Sequence, residues 1–299
     1  MALDRVRLMA ALCAAALVGC TGLEGPPISV APPSIVFDWV QNGQRDIYRA
    51  FLDGTDTVRL TSAADDEHPT ARAGRVVFTS YRDGNGELYV VPASGGGSGS
   101  AVRLTQTSAN ETQPALSPDG TKLAYMSDVT GVTRLWMSAA DGFGAQPLTA
   151  GFGFAGAVEA SPSWAPDGKR IVFVSTANGS ADLFIIALAG GAPTPLVVAP
   201  SADVEPAWSP DGTQVAFASD RSSGGSTNIY VVNVASGAVS QLTTGAGPDG
   251  QPAWLPDGRL VYTTWVAGTP QIKWLDLTHG STGDVPLGAG NAQHAVGVF

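Results

Sequence analysis

The feature that most constrains the fold is a short turn motif that recurs at nearly equal intervals. Pro-Asp-Gly begins at Pro118, Pro166, Pro210 and Pro256, at intervals of 48, 44 and 46 residues. Another proline stands four positions before each motif, and Pro69 precedes the first of these by 45 residues. Proline presets φ and glycine accepts positive φ, so each motif predicts a tight turn. Such a period indicates a repeat protein.

Three columns of apolar residues follow the same period. Each repeat has an aromatic residue after the turn, then an isoleucine or leucine, then a leucine. The columns are Phe37, Phe78, Tyr125, Phe173, Phe217 and Tyr262; Ile47, Leu88, Leu135, Leu183, Ile229 and Ile272; and Leu60, Leu104, Leu148, Leu196, Leu242 and Leu287. Four short strands in each of six repeats predict an all-β, six-bladed β-propeller. The 37 Gly and 21 Pro exclude helical repeats of this length.

The first repeat lacks an inner strand of its own. Its strands begin near Ile35, whereas residues 293–297 at the end of the chain match residues 113–117 of a complete repeat. We therefore expect the C-terminal strand to complete the first blade and close the ring, which leaves no open sheet edge at the seam. Deletion of the last nine residues should then destabilise the whole ring.

The clearest copy of the repeat lies in the fifth blade. Pro-Ala-Trp-Ser-Pro-Asp-Gly at 206–212 is followed by Phe-Ala-Ser-Asp-Arg at 217–221. These motifs resemble the PD40 (WD40-like) repeats of the TolB family, and the resemblance covers about residues 35–299. It implies a TolB-like propeller that serves as a non-catalytic, protein-binding platform in the cell envelope.

The N-terminus predicts export and lipidation. Arg5 and Arg7 precede an apolar stretch from Leu8 to Val18, which is too short to span a bilayer. Leu-Val-Gly-Cys at 17–20 resembles the lipobox of bacterial lipoproteins, although an ordinary signal peptide with an incidental cysteine is the alternative. We expect a signal peptide at 1–19, lipid on Cys20, a Pro-rich tether at 20–34 and the propeller at 35–299.

The charge and composition of the chain limit the classes of partner that it can bind. The chain has 26 Asp and Glu against 16 Lys and Arg, a net charge of −10, and no basic run, which excludes a nucleic-acid binder. We expect a monomer attached to the membrane by its lipid, whose partner is an envelope protein or a cell-wall glycan. Thr21 stands where an aspartate would favour inner-membrane retention, so the outer membrane is expected in a Gram-negative cell.

Two polar rings are expected at one mouth of the channel. One lies three residues before each inner-strand proline and contains Asp66, Glu111, Glu159, Asp203, Asp249 and Asn291. The other lies one residue before the proline and contains His68, Gln113, Ser161, Glu205, Gln251 and Gln293. Two interpretations of the acidic ring remain open. Its side chains accept backbone N–H bonds in the interblade loops, or they form a negative mouth that binds a cation or a basic segment of a partner.

No catalytic residues are expected, since the chain has no Gly-x-Ser-x-Gly motif and no room for a hydrolase domain. His68 and His294 should lie on adjacent blades at this mouth, and they are weak candidates for a divalent metal. They keep open a metal-dependent lyase for uronic-acid polysaccharides, or a glycan-binding propeller. A competent metal site usually needs at least three protein ligands, so we predict no cofactor.

Overall fold

The structure is a computed structural model that describes residues 33–62, 64–95, 101–154, 156–222, 225–245 and 247–299. The predicted signal peptide, Cys20 and all but the last two residues of the predicted tether lie outside these ranges. Within them, no helix is both long enough and apolar enough to cross a membrane.

The described residues form six four-stranded antiparallel sheets, which confirms the predicted propeller. From the channel outward, blade 1 contains β24 (Asn291–Gly297), β1 (Ser34–Gln41), β2 (Gln44–Phe51) and β3 (Val58–Arg59). Blade 2 contains β4 (Asp66–Arg72), β5 (Arg75–Ser80), β6 (Glu87–Pro92) and β7 (Val102–Arg103). Blade 3 contains β8 (Glu111–Leu116), β9 (Lys122–Ser127), β10 (Arg134–Ala139) and β11 (Gln146–Pro147).

The other three blades repeat this order. Blade 4 contains β12 (Glu159–Trp164), β13 (Arg170–Ser175), β14 (Asp182–Ala187) and β15 (Thr194–Val197). Blade 5 contains β16 (Asp203–Trp208), β17 (Gln214–Ser219), β18 (Asn228–Asn233) and β19 (Val239–Gln241). Blade 6 contains β20 (Asp249–Trp254), β21 (Leu260–Val266), β22 (Thr269–Asp276) and β23 (Ser281–Asp284).

The ring closes through the two ends of the propeller, as the sequence predicts. β24 pairs antiparallel with β1, from Ile35 opposite Gly297 to Val40 opposite Asn291. The first blade therefore takes its inner strand from the C-terminus and its other three strands from the N-terminal part of the propeller. A closure of this kind ties blades 1 and 6 together without an exposed inner edge.

Apolar side chains fill the spaces between neighbouring blades. The aromatic column is buried throughout, and four of its members (Phe37, Phe78, Phe173 and Phe217) are fully buried. The tryptophans of the inner strands add interblade hydrogen bonds: Trp164 Nε1 donates to the Ala115 carbonyl at 2.9 Å, and Trp254 Nε1 donates to the Ala207 carbonyl at 3.1 Å. Among the described residues, the Nε1 of Trp208 has no partner. The tryptophan column is therefore part of the packing.

The Pro-Asp-Gly motifs form the expected tight turns between the first and second strands of a blade. In blade 3, Gly120 has φ of +68°, and Asp119 Oδ1 accepts a hydrogen bond from the Thr121 amide at 3.0 Å. The Ser117 hydroxyl and Thr121 hold the pKa of Asp119 at about 2. The motif thus fixes the turn through both its backbone and its carboxylate.

One outer turn approaches the neighbouring blade closely. Gly142, in the turn after β10, has φ of +89°, and a Cβ at this position would lie 2.0 Å from the carbonyl oxygen of Leu104 in blade 2. Gly131, in the turn before β10, has a similar φ of +86°, but a Cβ there would meet nothing within 4 Å. Of these two glycines, Gly142 is therefore required by an interblade contact as well as by its backbone conformation, and Gly131 by its backbone conformation alone.

Candidate functional site

Every inner strand contains a β-bulge at the same height. The register with the second strand shifts, for example, between Glu67 and Thr70 in β4. At each bulge one non-glycine residue has a left-handed backbone with φ between 50° and 54°: His68, Gln113, Ser161, Glu205, Gln251 and His294. We call these six residues the bulge ring. A bulge re-aims a side chain, and left-handed non-glycine residues are uncommon, so their sixfold recurrence marks an imposed geometry.

The bulge ring lines the central channel. Together with the prolines that follow it, it surrounds a cavity of about 140 Å³. Five of its members are residues that the sequence places in the second polar ring. The cavity therefore presents imidazole, amide, hydroxyl and carboxylate groups around one narrow opening.

In β24, the inner strand of blade 1, the structure differs from the predicted alignment by one residue. His294, and not Gln293, has the left-handed backbone of the bulge, and Ala292, and not Asn291, takes the position equivalent to Asp66. Asn291 lies at the exposed end of β24. The closing strand has alanine where the other bulges have proline, so its sequence lacks the residue that marks the register.

Side chains of the bulge ring join one blade to the next. Gln113 Oε1 accepts a hydrogen bond from the Ser161 amide at 2.8 Å. Glu205 Oε2 accepts one from the Gln251 amide at 2.6 Å, and Gln251 Oε1 accepts one from the His294 amide at 3.0 Å. We call each of these bonds a stitch. Three of the six side chains of the bulge ring thus connect neighbouring blades at the channel wall.

The two histidines meet at the seam between blades 1 and 2. The ring centroids of His68 and His294 lie 4.2 Å apart. His294 Nδ1 is 2.6 Å from Asp38 Oδ1, and His294 Nε2 is 2.6 Å from the Nε2 of Gln251. Because the amide nitrogen of Gln251 can only donate, the network assigns the His294 proton to Nδ1, which donates to Asp38. Both nitrogens of His294 are therefore engaged.

A second carboxylate stands behind His68. Glu67 forms an ion pair with Arg45, accepts a hydrogen bond from the Tyr81 hydroxyl at 2.9 Å, and lies 3.3 Å from Nδ1 of His68. Burial raises the pKa of Glu67, but contact with His68, with Tyr81 and with the Arg45 charge outweighs burial and brings it to about 2. Glu67 is therefore a fixed negative charge that is already compensated.

The acidic ring lies inside the blades and not on the cavity wall. Asp66, Glu111, Glu159, Asp203 and Asp249 are each at most 3% exposed. Each is paired in register with a hydroxyl residue at or within two residues of the end of the second strand: Ser80, Ser127, Ser175, Ser219 and Thr264. The Ser127 hydroxyl, for example, donates to Glu111 at 2.8 Å, and that of Ser219 donates to Asp203 at 2.6 Å.

Glu159 is the member of the acidic ring that accepts a hydrogen bond from the main chain of a strand in the neighbouring blade. It lies in blade 4 and accepts a 2.7 Å hydrogen bond from the Leu135 amide of blade 3. Thr149 and Arg134 of blade 3 also donate to it. Burial raises the pKa of Glu159 above its ordinary value, despite these donors. Burial therefore destabilises the ionised form of Glu159, although its carboxylate connects two blades.

A further set of buried carboxylates escaped the sequence analysis. Glu87 and Asp182 begin the third strands of their blades, Asp46 is the third residue of the third strand of blade 1, and all three are almost fully buried. Arg59 donates to Asp46 at 2.5 Å, and Arg103 donates to Glu87 at 2.6 Å. The sequence pattern that could have identified them is an acidic residue directly before the isoleucine or leucine column. Asp38, the partner of His294, had no repeat equivalent that could have revealed it.

The mouth at which the inner strands begin, here called the upper mouth, carries uncompensated negative charge. Its arginines are all in ion pairs within the described residues: Arg45, Arg59, Arg82, Arg103, Arg134 and Arg221. In the same residues, no ion pair involves Asp65, Asp128, Glu205 or Asp220. The potential at this mouth is therefore negative.

The described part of the chain has no group of three or more His, Cys, Asp or Glu side chains arranged to hold a metal ion. His68 and His294 do lie side by side, as the sequence predicts. The engagement of both His294 nitrogens leaves its ring no lone pair for a metal in this arrangement.

Comparison with known proteins supports the repeat assignment. Residues 152–225, about a quarter of the chain, match the PD40 family model, described as the TolB beta propeller domain. The uncharacterized protein Atu1656 of Agrobacterium fabrum is 29% identical over 114 residues, which cover 34% of this chain and 39% of that protein. The chain thus matches well under half the length of this relative.

Solved structures agree on the fold. TolB from Acinetobacter baumannii superposes with a TM-score of 0.77 at 18% identity, over 89% of this chain and 66% of that one. A TolB-type protein from Agrobacterium tumefaciens superposes with a TM-score of 0.67 at 18% identity, over 90% of this chain and 99% of that one. Enzymes with a similar propeller include puromycin hydrolase and an oligogalacturonate lyase. The described residues therefore form a six-bladed β-propeller similar in fold to the propeller of TolB, and residues 152–225 match the PD40 family model.

Proposed function

We propose that the protein is a lipid-anchored binding module of the cell envelope that captures a partner at the upper mouth of its channel. The observation that carries the proposal is the bulge ring. It presents six polar, left-handed residues around a cavity of about 140 Å³, at a mouth with uncompensated carboxylates. Strained backbone retained at one height in every repeat is typical of a binding surface. Similarity to TolB propellers supports a role in protein interaction.

The negative charge favours a partner with a basic contact surface. Complementary charges raise the rate at which two proteins meet and select against wrong partners. The acidic ring contributes little to this surface, because its carboxylates are buried and bonded within the blades. We therefore propose that the bulge ring and the exposed loops around it bind the partner, and that the acidic ring does not.

The proposal is tested by cross-linking in cells, with the tagged full-length protein as bait. Ser161→Tyr would fill the cavity from blade 4, and Lys169→Tyr places the same side chain on an exposed turn at the opposite mouth of that blade. We expect wild type and Lys169→Tyr to capture the same envelope protein and Ser161→Tyr to lose it, with all three equally folded by circular dichroism. Equal capture by all three variants would contradict recognition at the upper mouth.

The lipid anchor is tested separately. Membrane fractionation and labelling with a radioactive fatty acid should place the wild type in the membrane fraction and label it. Cys20→Ala should be unlabelled and released as a soluble exported protein, because a lipid chain supplies the membrane affinity. A wild-type protein without label, or a Cys20→Ala variant labelled as strongly as wild type, would refute the anchor and leave the binding proposal intact.

A further inference from the structure

Glu205 carries a charge at a position where the fold needs none. Its Oε2 makes the stitch from blade 5 to blade 6 by accepting the Gln251 amide hydrogen at 2.6 Å. Gln113 and Gln251 make the same stitch in other blades with a neutral amide oxygen. A glutamine at 205 would therefore meet the structural requirement, and the negative charge remains to be explained.

No cation within the described residues compensates this charge. Glu67 and Asp38, the other carboxylates near the bulge ring, both lie beside Arg45. Glu205 forms no ion pair in the described chain, and its Oε1 accepts no hydrogen bond there. Yet Glu205 is half-buried and lines the central cavity. A carboxylate on a cavity wall with one oxygen unbonded and no counter-ion within the described residues attracts a cation, which favours a cationic occupant.

The rest of the cavity wall suits a small hydrogen-bonding group. Gln113 uses its Oε1 for a stitch, so its amide N–H groups are available, and Ser161 adds a hydroxyl. Three prolines of the wall, Pro114, Pro162 and Pro206, supply apolar surface for a short alkyl chain. The volume of about 140 Å³ admits one charged head and a few carbons, and no folded element.

We propose that the bulge-ring cavity binds an organic cation, a protonated primary amine or a guanidinium, with Glu205 as its counter-ion. The inference rests on the proposed function and deepens it, because a lysine or arginine side chain of the captured partner would supply this group. A free amine would supply the same chemistry. The uncompensated carboxylates of the upper mouth would draw either source towards the cavity.

The direct test uses purified full-length protein and small probes. Butylammonium and butylguanidinium are titrated by saturation-transfer NMR, with 1-butanol as the neutral probe of similar shape. We expect saturable binding of at least one cation, no binding of 1-butanol, and at least a tenfold loss of affinity in Glu205→Gln. The variant should melt at the wild-type temperature, because glutamine makes the stitch elsewhere in the ring.

Asp220→Asn is the matched control, because it removes one exposed carboxylate from the same mouth without touching the cavity. It should leave the affinity for the cations unchanged. Equal affinity in wild type and Glu205→Gln, or no saturable binding of either cation, would overturn the proposal. Binding of Ca²⁺ in place of the organic cations would also overturn it, by showing a metal site.

Cross-linking with Glu205→Gln separates this inference from the proposed function. Capture lost in Glu205→Gln and retained in Asp220→Asn supports a basic side chain of the partner as the occupant. Capture retained in Glu205→Gln leaves the proposed function standing and refutes the partner as the source of the cation. If the cations bind in vitro and no partner is captured by the wild type, the proposed function fails and a free amine is the ligand.

Discussion

Replacement of Glu159 by alanine should expose how much one interblade carboxylate contributes to the ring. The side chain is fully buried and takes hydrogen bonds from the Leu135 amide, the Thr149 hydroxyl and Arg134. Alanine would leave the Leu135 N–H and the Thr149 hydroxyl buried without an acceptor. Each such group costs about 1–3 kcal/mol. Arg134 is partly exposed, so water can compensate its loss.

The expected loss for Glu159→Ala is therefore about 4 kcal/mol in the free energy of unfolding. In a protein of this size that corresponds to a fall of roughly 8–16 °C in melting temperature. Glu159→Gln is the matched control, because its amide oxygen can still accept the Leu135 N–H while the charge is removed. We expect it to cost about 1 kcal/mol.

Urea unfolding followed by tryptophan fluorescence measures both variants against wild type, and seven tryptophans supply the signal. A loss below 1 kcal/mol in the alanine variant, or equal losses in the two variants, would refute the account of Glu159 as a buried acceptor. The pKa of Glu159 is raised in the folded protein. Its contribution is therefore full below the unfolded pKa and falls as pH rises through the folded value, so the deficit of Glu159→Gln should shrink from pH 4.5 to pH 8.

Three further changes test the glycine contact, the tryptophan column and the cluster around Arg45. Gly142→Ala should lose more than about 3 kcal/mol, because its Cβ would meet a carbonyl oxygen of the next blade, whereas Gly131→Ala should lose about 1 kcal/mol for its positive φ alone. Trp164→Phe should cost about 1 kcal/mol more than Trp208→Phe, because only Trp164 donates an interblade hydrogen bond. Glu67→Gln should be less stable than wild type at pH 7. This deficit should vanish as pH falls from 4.5 to about 2, since the low pKa of Glu67 stabilises the fold only while it is ionised.

Each of these changes has an outcome that would contradict its premise. Equal losses in the two glycine variants would show that the main chain at Leu104 can move away from the added Cβ without a loss of stability. Equal losses in the two tryptophan variants would mean that the hydrogen bond contributes nothing beyond packing. A deficit of Glu67→Gln that persists at pH 2 would show that the side-chain shape, and not the charge, matters. Chemical denaturation at fixed protein concentration is the measurement in all three cases.

The blade architecture could be predicted from the sequence because each blade repeats the same packing demand. Phe37 and Phe78 occupy equivalent spaces between sheets, so the same residue type recurs at one interval. The closing strand was predicted too, since β24 keeps part of the inner-strand pattern. Its register was off by one residue, because Ala295 replaces the proline that marks the other bulges.

The direction in which side chains point could not be read from the repeats. Asp66 and His68 are two residues apart, which in a regular strand would place them on one face. The bulge at His68 breaks that alternation, so Asp66 turns into the blade and His68 lines the channel. Equal spacing in sequence reveals both rings, but the left-handed residue that separates them is a property of the folded backbone.

The stitches have a consequence for how such a protein can change over generations. In each of them a side chain of one blade binds the main-chain N–H of the next. Any residue except proline supplies that donor, so a stitch by itself makes no demand on the side chain of the blade that donates the N–H. A repeat can therefore be duplicated or exchanged, or drift in sequence, while the channel wall stays joined. The groups that face the cavity can then diversify one substitution at a time on an unchanged scaffold.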